Sequence, residues 1–148
     1  MLKLPVTHPR LLAALGAAGH LSKVLISDGH YPHSTIPNPR AEIVWANFTP
    51  GVIGAMKALE MVADLVAIED VAVMAPNPSG EFAMPHDPPI WADFRNVLKT
   101  RSDFRGEMTK LLKPEFNAQA RGSDVALVIA TAETQIYGNV LVTIGVVR

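Results

Sequence analysis

His20-Leu21-Ser22-Lys23-Val24-Leu25-Ile26-Ser27-Asp28-Gly29-His30-Tyr31-Pro32-His33 is the stretch on which the fold turns. Lys23 to Ser27 is short, apolar and rich in β-branched residues, so it reads as a buried strand. Its carboxyl end delivers Asp28 into a turn, where Gly29 permits unusual backbone angles. Ligands of open α/β sheets gather outside the carboxyl ends of strands, which makes Asp28 a candidate for chemistry. Gly19-His20 lies at the other end of the same strand. At about 3.3 Å per residue, an extended chain puts more than roughly 20 Å between His20 and Asp28. They cannot form a simple pair within one chain unless the strand begins later. A site between two subunits, with one residue from each, would also reconcile them.

Outward from this strand, helical and extended patterns alternate. Upstream, Thr7 can cap a helix with Pro9 in its first turn, and Leu11, Leu12, Leu15 and Ala18 share a face. Gly19 is placed to end that helix with a positive φ. Downstream, Tyr31 to Arg40 holds three prolines and reads as a loop. Ala41 to Trp45 reads as a strand. Thr49-Pro50 reads as the start of a second helix, with Ile53, Met56, Leu59 and Met61 on its buried face. Leu65 to Met74 is a strand interrupted at Glu69-Asp70, or two strands.

Residues 76–80 and 85–89 are turn-rich, with an extended surface segment between them. Trp91 to Arg101 is a helix with Trp91, Phe94 and Leu98 at helical spacing. Phe104 to Lys110 is a weak strand. Pro114 opens a short helix carrying Phe116 and Ala120. Asp124 to Ala130 and Val140 to Val147 are near-continuous in Val, Ile and Leu, as strands buried on both faces are. The expected fold is α/β: a three-layer α/β/α sandwich on a mixed, largely parallel sheet. The whole chain, residues 1–148, reads as one domain.

Composition narrows the function classes. Hydrophobic residues make up 49% and charged residues 18%, so the chain can build a core. The net charge is -1 and no block of like charge occurs, so no nucleic-acid partner is expected. No segment approaches the ~20 apolar residues of a membrane span, and the N-terminus lacks a signal peptide's apolar core. There are no cysteines, which removes thiolate chemistry and fits a cytoplasmic protein.

Two clusters could carry chemistry. Asp28, His30 and His33 have the D-x-H-x-x-H spacing of a possible zinc or iron site; the plainer alternative is a polar loop with surface histidines. Proton transfer is the third alternative, since histidine titrates near neutrality and a carboxylate can orient or oppose it. The second cluster is Glu133-Thr134-Gln135-Ile136-Tyr137-Gly138-Asn139, between the last two strands. A hairpin turn at Gly138-Asn139 explains it structurally. As a site, a phenol and an amide beside a glycine can bind the hydroxyls of a polar ligand. Trp45 could stack on a sugar, Trp91 reads as core, and Tyr31 reads as the more exposed aromatic.

Taken in order, Gly19-His20, Ser27-Asp28-Gly29-His30-Tyr31-Pro32-His33-Ser34, and Tyr137-Gly138-Asn139 with Gly145-Val146 after it resemble the fucose mutarotase and ribose pyranase family (RbsD/FucU). The fucose branch carries Ser-Asp-Ala-His-Phe-Pro-Ala-His-Ser at the second motif and is the nearer one. The resemblance implies an α/β/α fold in a homo-oligomer, often a decameric ring, with active sites between subunits. It implies that His20 is the proton donor and that Asp28, Tyr137 and Asn139 bind a free monosaccharide, with the Gly138 backbone close by. His30 and His33 then read as lining residues of lower rank. Phe116 matches a phenylalanine of the late helix. Lys113 stands where the fucose branch has arginine and the ribose branch histidine, and Asn117 stands where the fucose branch has tyrosine.

The resemblance thus implies a cofactor-independent, metal-free isomerase that interconverts the anomers of L-fucose or a related sugar. Such an enzyme opens and recloses the ring by general acid–base chemistry. The alternative is a non-catalytic sugar-binding accessory protein of a transport or catabolic system. A metal-dependent enzyme using Asp28, His30 and His33 is the third possibility.

Overall fold

The structure, a computed structural model, describes residues 1–148. In chain order the elements are α1 (Pro9–Ala17), β1 (Lys23–Ser27), β2 (Glu42–Ala46), α2 (Ala55–Ala63), β3 (Ile68–Met74), α3 (Ile90–Arg101), β4 (Thr109–Leu111), α4 (Lys113–Ala120), β5 (Val125–Thr131) and β6 (Val140–Ile144). The strands form one six-stranded sheet in the order β2-β5-β1-β6-β3-β4. β1 pairs parallel with β5, β5 with β2, and β3 with β4, while β6 runs antiparallel to both β1 and β3. β6 is therefore the one reversed strand of a mixed, largely parallel sheet.

Val24 and Ile26 face a large core shared with α1, α2 and α3. Leu25 points the other way, into a smaller core with Phe116 and Ala120 of α4 and with Tyr31. This alternation follows from the period-2 geometry of a strand. It buries β1 on both faces, as its unbroken apolar run requires. The three layers are unequal, because only α4 and the loop after β1 cover the second face.

Several local expectations shift. His8, not Thr7, caps α1: its Nδ1 accepts the Leu11 N–H at 3.3 Å. The left-handed residue after α1 is Leu21 (φ 67°), not Gly19. Thr49-Pro50 forms a turn, and α2 starts at Ala55, with Ala55, Ala58, Leu59 and Val62 inward and Met56 exposed. β3 is a single strand whose pairing to β6 slips between Ile68 and Asp70, the position of the Glu69-Asp70 interruption. β4 is only Thr109–Leu111.

The largest correction concerns the last two strands. They do not form a hairpin, because β1 lies between them. β5 and β1 are parallel, so residues 132–139 must cross over the carboxyl end of β1 before β6 returns. Both apolar strands do lie in the centre of the sheet, but apolar content carries no information about which strands are neighbours.

Candidate functional site

The crossing places the polar segment 133–139 directly on Asp28. The Asn139 carboxamide pairs with Asp28 twice. Its Nδ2 donates to Asp28 Oδ2 at 2.7 Å, and its Oδ1 accepts the Asp28 backbone N–H at 2.9 Å. The Gly138 N–H also donates to Oδ2, at 3.2 Å, and the His30 N–H donates to Oδ1 at 3.0 Å. Asp28 and Asn139 are each 3% exposed. Burial pushes the Asp28 carboxyl above its ordinary range, since desolvation penalises the charged form. The His30 N–H and ring, the Gly138 N–H and the Asn139 amide pull the other way and offset part of that rise. The result is a fixed carboxylate that holds a proton more readily than a solvated one, which suits general acid–base work.

The crossing segment has its own supports. A Cβ on Gly138 would lie 2.9 Å from Glu133 Cγ and 3.3 Å from Asp28 Cβ, so the close approach requires glycine. Gly29 is needed for space too: a Cβ there would lie 3.0 Å from the Glu133 carbonyl oxygen, which accepts the Gly29 N–H at 2.9 Å. Tyr137 holds a left-handed backbone (φ 61°), a conformation costly for a bulky residue. The indole N–H of Trp91 donates to its carbonyl at 3.2 Å, and its own hydroxyl donates to the Phe82 carbonyl at 2.8 Å. The Glu133 carboxylate anchors the segment's start: it accepts N–H groups from Thr134 and Gln135, and from Ala55 at the start of α2.

Beside Asp28 lies a cavity of about 220 Å³. That is below the roughly 300–1,000 Å³ typical of drug-sized ligands, so it suits one small polar molecule. Asp28, His30, Lys113, Tyr137 and Asn139 all line it, so five residues expected from the sequence converge. Gly138 contributes its N–H to Asp28. Met74, Phe82 and Ile136 give the cavity an apolar side. Its position outside the carboxyl ends of β1 and β3 is the one expected for an open α/β sheet.

His20 is elsewhere. It precedes β1, so it sits at the opposite end of the sheet from Asp28, half-exposed, with Nε2 2.6 Å from Glu69 Oε2. Within one chain the two do not meet.

His33 is not a lining residue. It is buried, with Nδ1 2.8 Å from Ser27 Oγ, its ring against Trp45, and Nε2 lacking a partner. Burial lowers its pKa. His30 Nε2 lies 3.3 Å from the Thr134 carbonyl. Asp28, His30 and His33 thus face three different sets of partners, and no three such residues are grouped to hold a metal ion. Tyr31, expected to be exposed, is 6% exposed, because its ring packs in the smaller core; the residue also lines the cavity. Trp45 is half-exposed on β2 but lies outside the cavity.

Three supporting residues are not marked as site residues by the sequence: Asn117 and Phe82 in the cavity wall, and Glu133 behind it. Glu133 belongs to the polar segment that a hairpin turn also explains. Asn117 was visible only as a departure from the family pattern. Phe82 lies among turn residues that carry no signal.

A sequence model described as the RbsD / FucU transport protein family matches residues 1–147. The chain belongs to this family. Among curated relatives, bovine fucose mutarotase is 28% identical over 144 residues, covering 93% of this chain and 88% of the relative. Among solved structures, the Streptococcus pneumoniae fucose mutarotase in complex with L-fucose superimposes with a TM-score of 0.83 at 21% identity, over 100% of both chains. Bacillus subtilis RbsD complexed with D-ribose gives 0.77 at 20% identity, also over 100% of both. These similarities establish the α/β fold.

Proposed function

We propose that this chain is a monosaccharide mutarotase, acting on L-fucose or a related free sugar. The observation that carries the proposal is the Asp28 cage: a buried carboxylate held by Asn139, Gly138 and His30 at the wall of a sugar-sized cavity. Family membership and the mutarotase relatives support the same reading.

Mutarotation removes the proton of the anomeric hydroxyl and delivers one to the ring oxygen as the C1–ring-oxygen bond breaks. The aldehyde then rotates and the steps reverse on its other face. No electrons change hands, so acid–base groups and positioning suffice, each group contributing about 10²–10⁴-fold. Asp28 Oδ1 accepts one backbone N–H and keeps room for a sugar hydroxyl. The Tyr137 hydroxyl has spent its proton on Phe82, so it accepts from the sugar, and Lys113 donates. His20 is the proton donor in this scheme.

Because His20 and Asp28 of one chain lie at opposite ends of the sheet, the scheme requires His20 of a neighbouring copy. A homo-oligomer, in the ring form a decamer, supplies it. The chain acts as a single cytoplasmic domain on a free sugar. No helix is long and apolar enough to cross a membrane. Saturation-transfer NMR tests the proposal: transfer between α and β anomeric protons must quicken for at least one of fucose, ribose, galactose and rhamnose. Calorimetric sugar binding with no quickening supports the accessory-protein alternative instead.

A further inference from the structure

Tyr31 and Asn117 meet at the cavity wall, from the loop after β1 and from α4. The Tyr31 hydroxyl donates to Asn117 Oδ1 at 3.1 Å. The phenol cannot wander: its ring is 6% exposed and packs edge-on against Phe116, 6.4 Å between centroids. Asn117 stands one helical turn after Lys113, so both side chains project from the same side of α4 toward the cavity.

The bond between the two uses one donor and one acceptor. Tyr31 oxygen keeps acceptor capacity, and the Asn117 amide nitrogen keeps its donors. An acceptor and a donor therefore sit side by side on a rigid wall. A single sugar hydroxyl satisfies both at once, donating to the phenol oxygen and accepting from the amide. If the carboxamide were turned over, the roles of the two groups would exchange and the complement would be the same.

We propose that Tyr31 and Asn117 are specificity-determining residues that read one ring hydroxyl of the monosaccharide. The inference rests on the reading of this cavity as a monosaccharide site. The substrate class it names is a free pyranose or furanose whose hydroxyl, on a carbon away from the anomeric centre, points at this wall. Sugars that lack the hydroxyl, or carry it on the opposite face, leave the pair desolvated and unmatched. Polar sites reject analogues missing such a group more strongly than apolar pockets reject an extra methylene.

The test is a calorimetric binding series with the full-length chain. The panel is L-fucose, D-ribose, D-galactose and L-rhamnose, then the monodeoxy analogues of the tightest binder. Each is measured against wild type, Tyr31→Phe, Asn117→Ala and the double variant, with thermal unfolding as the check on folding. Tyr31→Phe keeps the buried ring, so it removes only the hydroxyl. Expected is about a tenfold loss of affinity for the tightest sugar. For the one deoxy analogue that lacks the hydroxyl read here, wild type and variants should bind alike, and the double variant should be little worse than either single one. A uniform loss across all analogues, or no loss, overturns the proposal while leaving the monosaccharide site intact. Failure of wild type to bind any sugar in the panel overturns both. Binding without anomer exchange removes only the catalytic assignment.

Discussion

Replacing Glu133 with Gln tests the idea that the active loop is held from behind. Glu133 Oε2 accepts the Ala55 N–H at 3.1 Å, and Oε1 accepts those of Thr134 and Gln135 at 2.9 Å each. The N-cap of α2 is Gly54, which has no side chain to cap the helix, so this carboxylate serves as its cap from across the chain. Glutamine has one acceptor oxygen, so its NH₂ group must face either Ala55 or the Thr134–Gln135 pair, donor against donor. The Ala55 bond, made to a charged acceptor, is worth about 1.5–3 kcal/mol. Loss of negative charge at a helix start adds about 0.3–1 kcal/mol. Solvent can take up part of the exposed Thr134 and Gln135 bonds, so the net cost is about 2 kcal/mol. At about 2–4 °C per kcal/mol for a chain of this size, Tm falls by about 4–8 °C. Gly138 and Asn139 ride on the same segment, and a shift of ~1 Å at Asp28 would slow sugar exchange by about a hundredfold. Circular dichroism melting and anomer-exchange NMR measure the two effects. A Tm and exchange rate both equal to wild type would refute the loop-anchoring argument.

Three further outcomes are expected from the geometry. His20→Ala should abolish anomer exchange with a stability change below about 1 kcal/mol, because its contact with Glu69 is half-exposed on both sides; a retained exchange rate would remove His20 as the acid. Asp28 is raised above its ordinary 3.8 chiefly by burial. The acid limb of the exchange rate should therefore lie above that of an ordinary carboxylate, and a limb at or below 3.8 would contradict a part for Asp28 in the acid–base work. His33 is lowered from 6.5 by burial, so the folded state binds its proton less readily than the unfolded chain. Its contribution to stability is complete above about pH 6.5 and is lost as the pH falls through the lower folded value. Melting curves across about pH 5–8 should show this loss in wild type and a reduced slope in His33→Gln, whereas equal slopes would exclude His33 as the source.

Much of the layer architecture was legible because burial on both faces leaves an unbroken apolar run. That is how β1, β5 and β6 could be recognised as central strands. Neighbour relations were not legible. β5 and β6 are consecutive and read as a hairpin, yet β1 separates them. Insertion of β1 is decided by long-range packing that no local window contains. The same insertion explains the site. Once residues 132–139 cross β1, Asp28 and Asn139 must meet, although 111 positions separate them. The family motifs marked both residues without indicating that contact. Tyr31 reads as exposed because its loop is polar, whereas its ring covers the thinly protected face of the sheet. His33 lies in the same polar loop, yet its ring packs edge-on against Trp45 and does not line the cavity. Glu133 was hidden because a helix cap is normally sought beside the helix, and this one comes from the far end of the chain.

The most direct test of the mutarotase assignment is the rate of anomer interconversion of L-fucose in the presence of the purified chain. One anomeric proton is saturated and transfer to the other is followed, with Asp28→Asn and His20→Ala measured alongside. The account predicts transfer well above the spontaneous rate for wild type and near-spontaneous transfer for both variants. Spontaneous transfer with wild type across the whole sugar panel would contradict it, as would full activity in either variant.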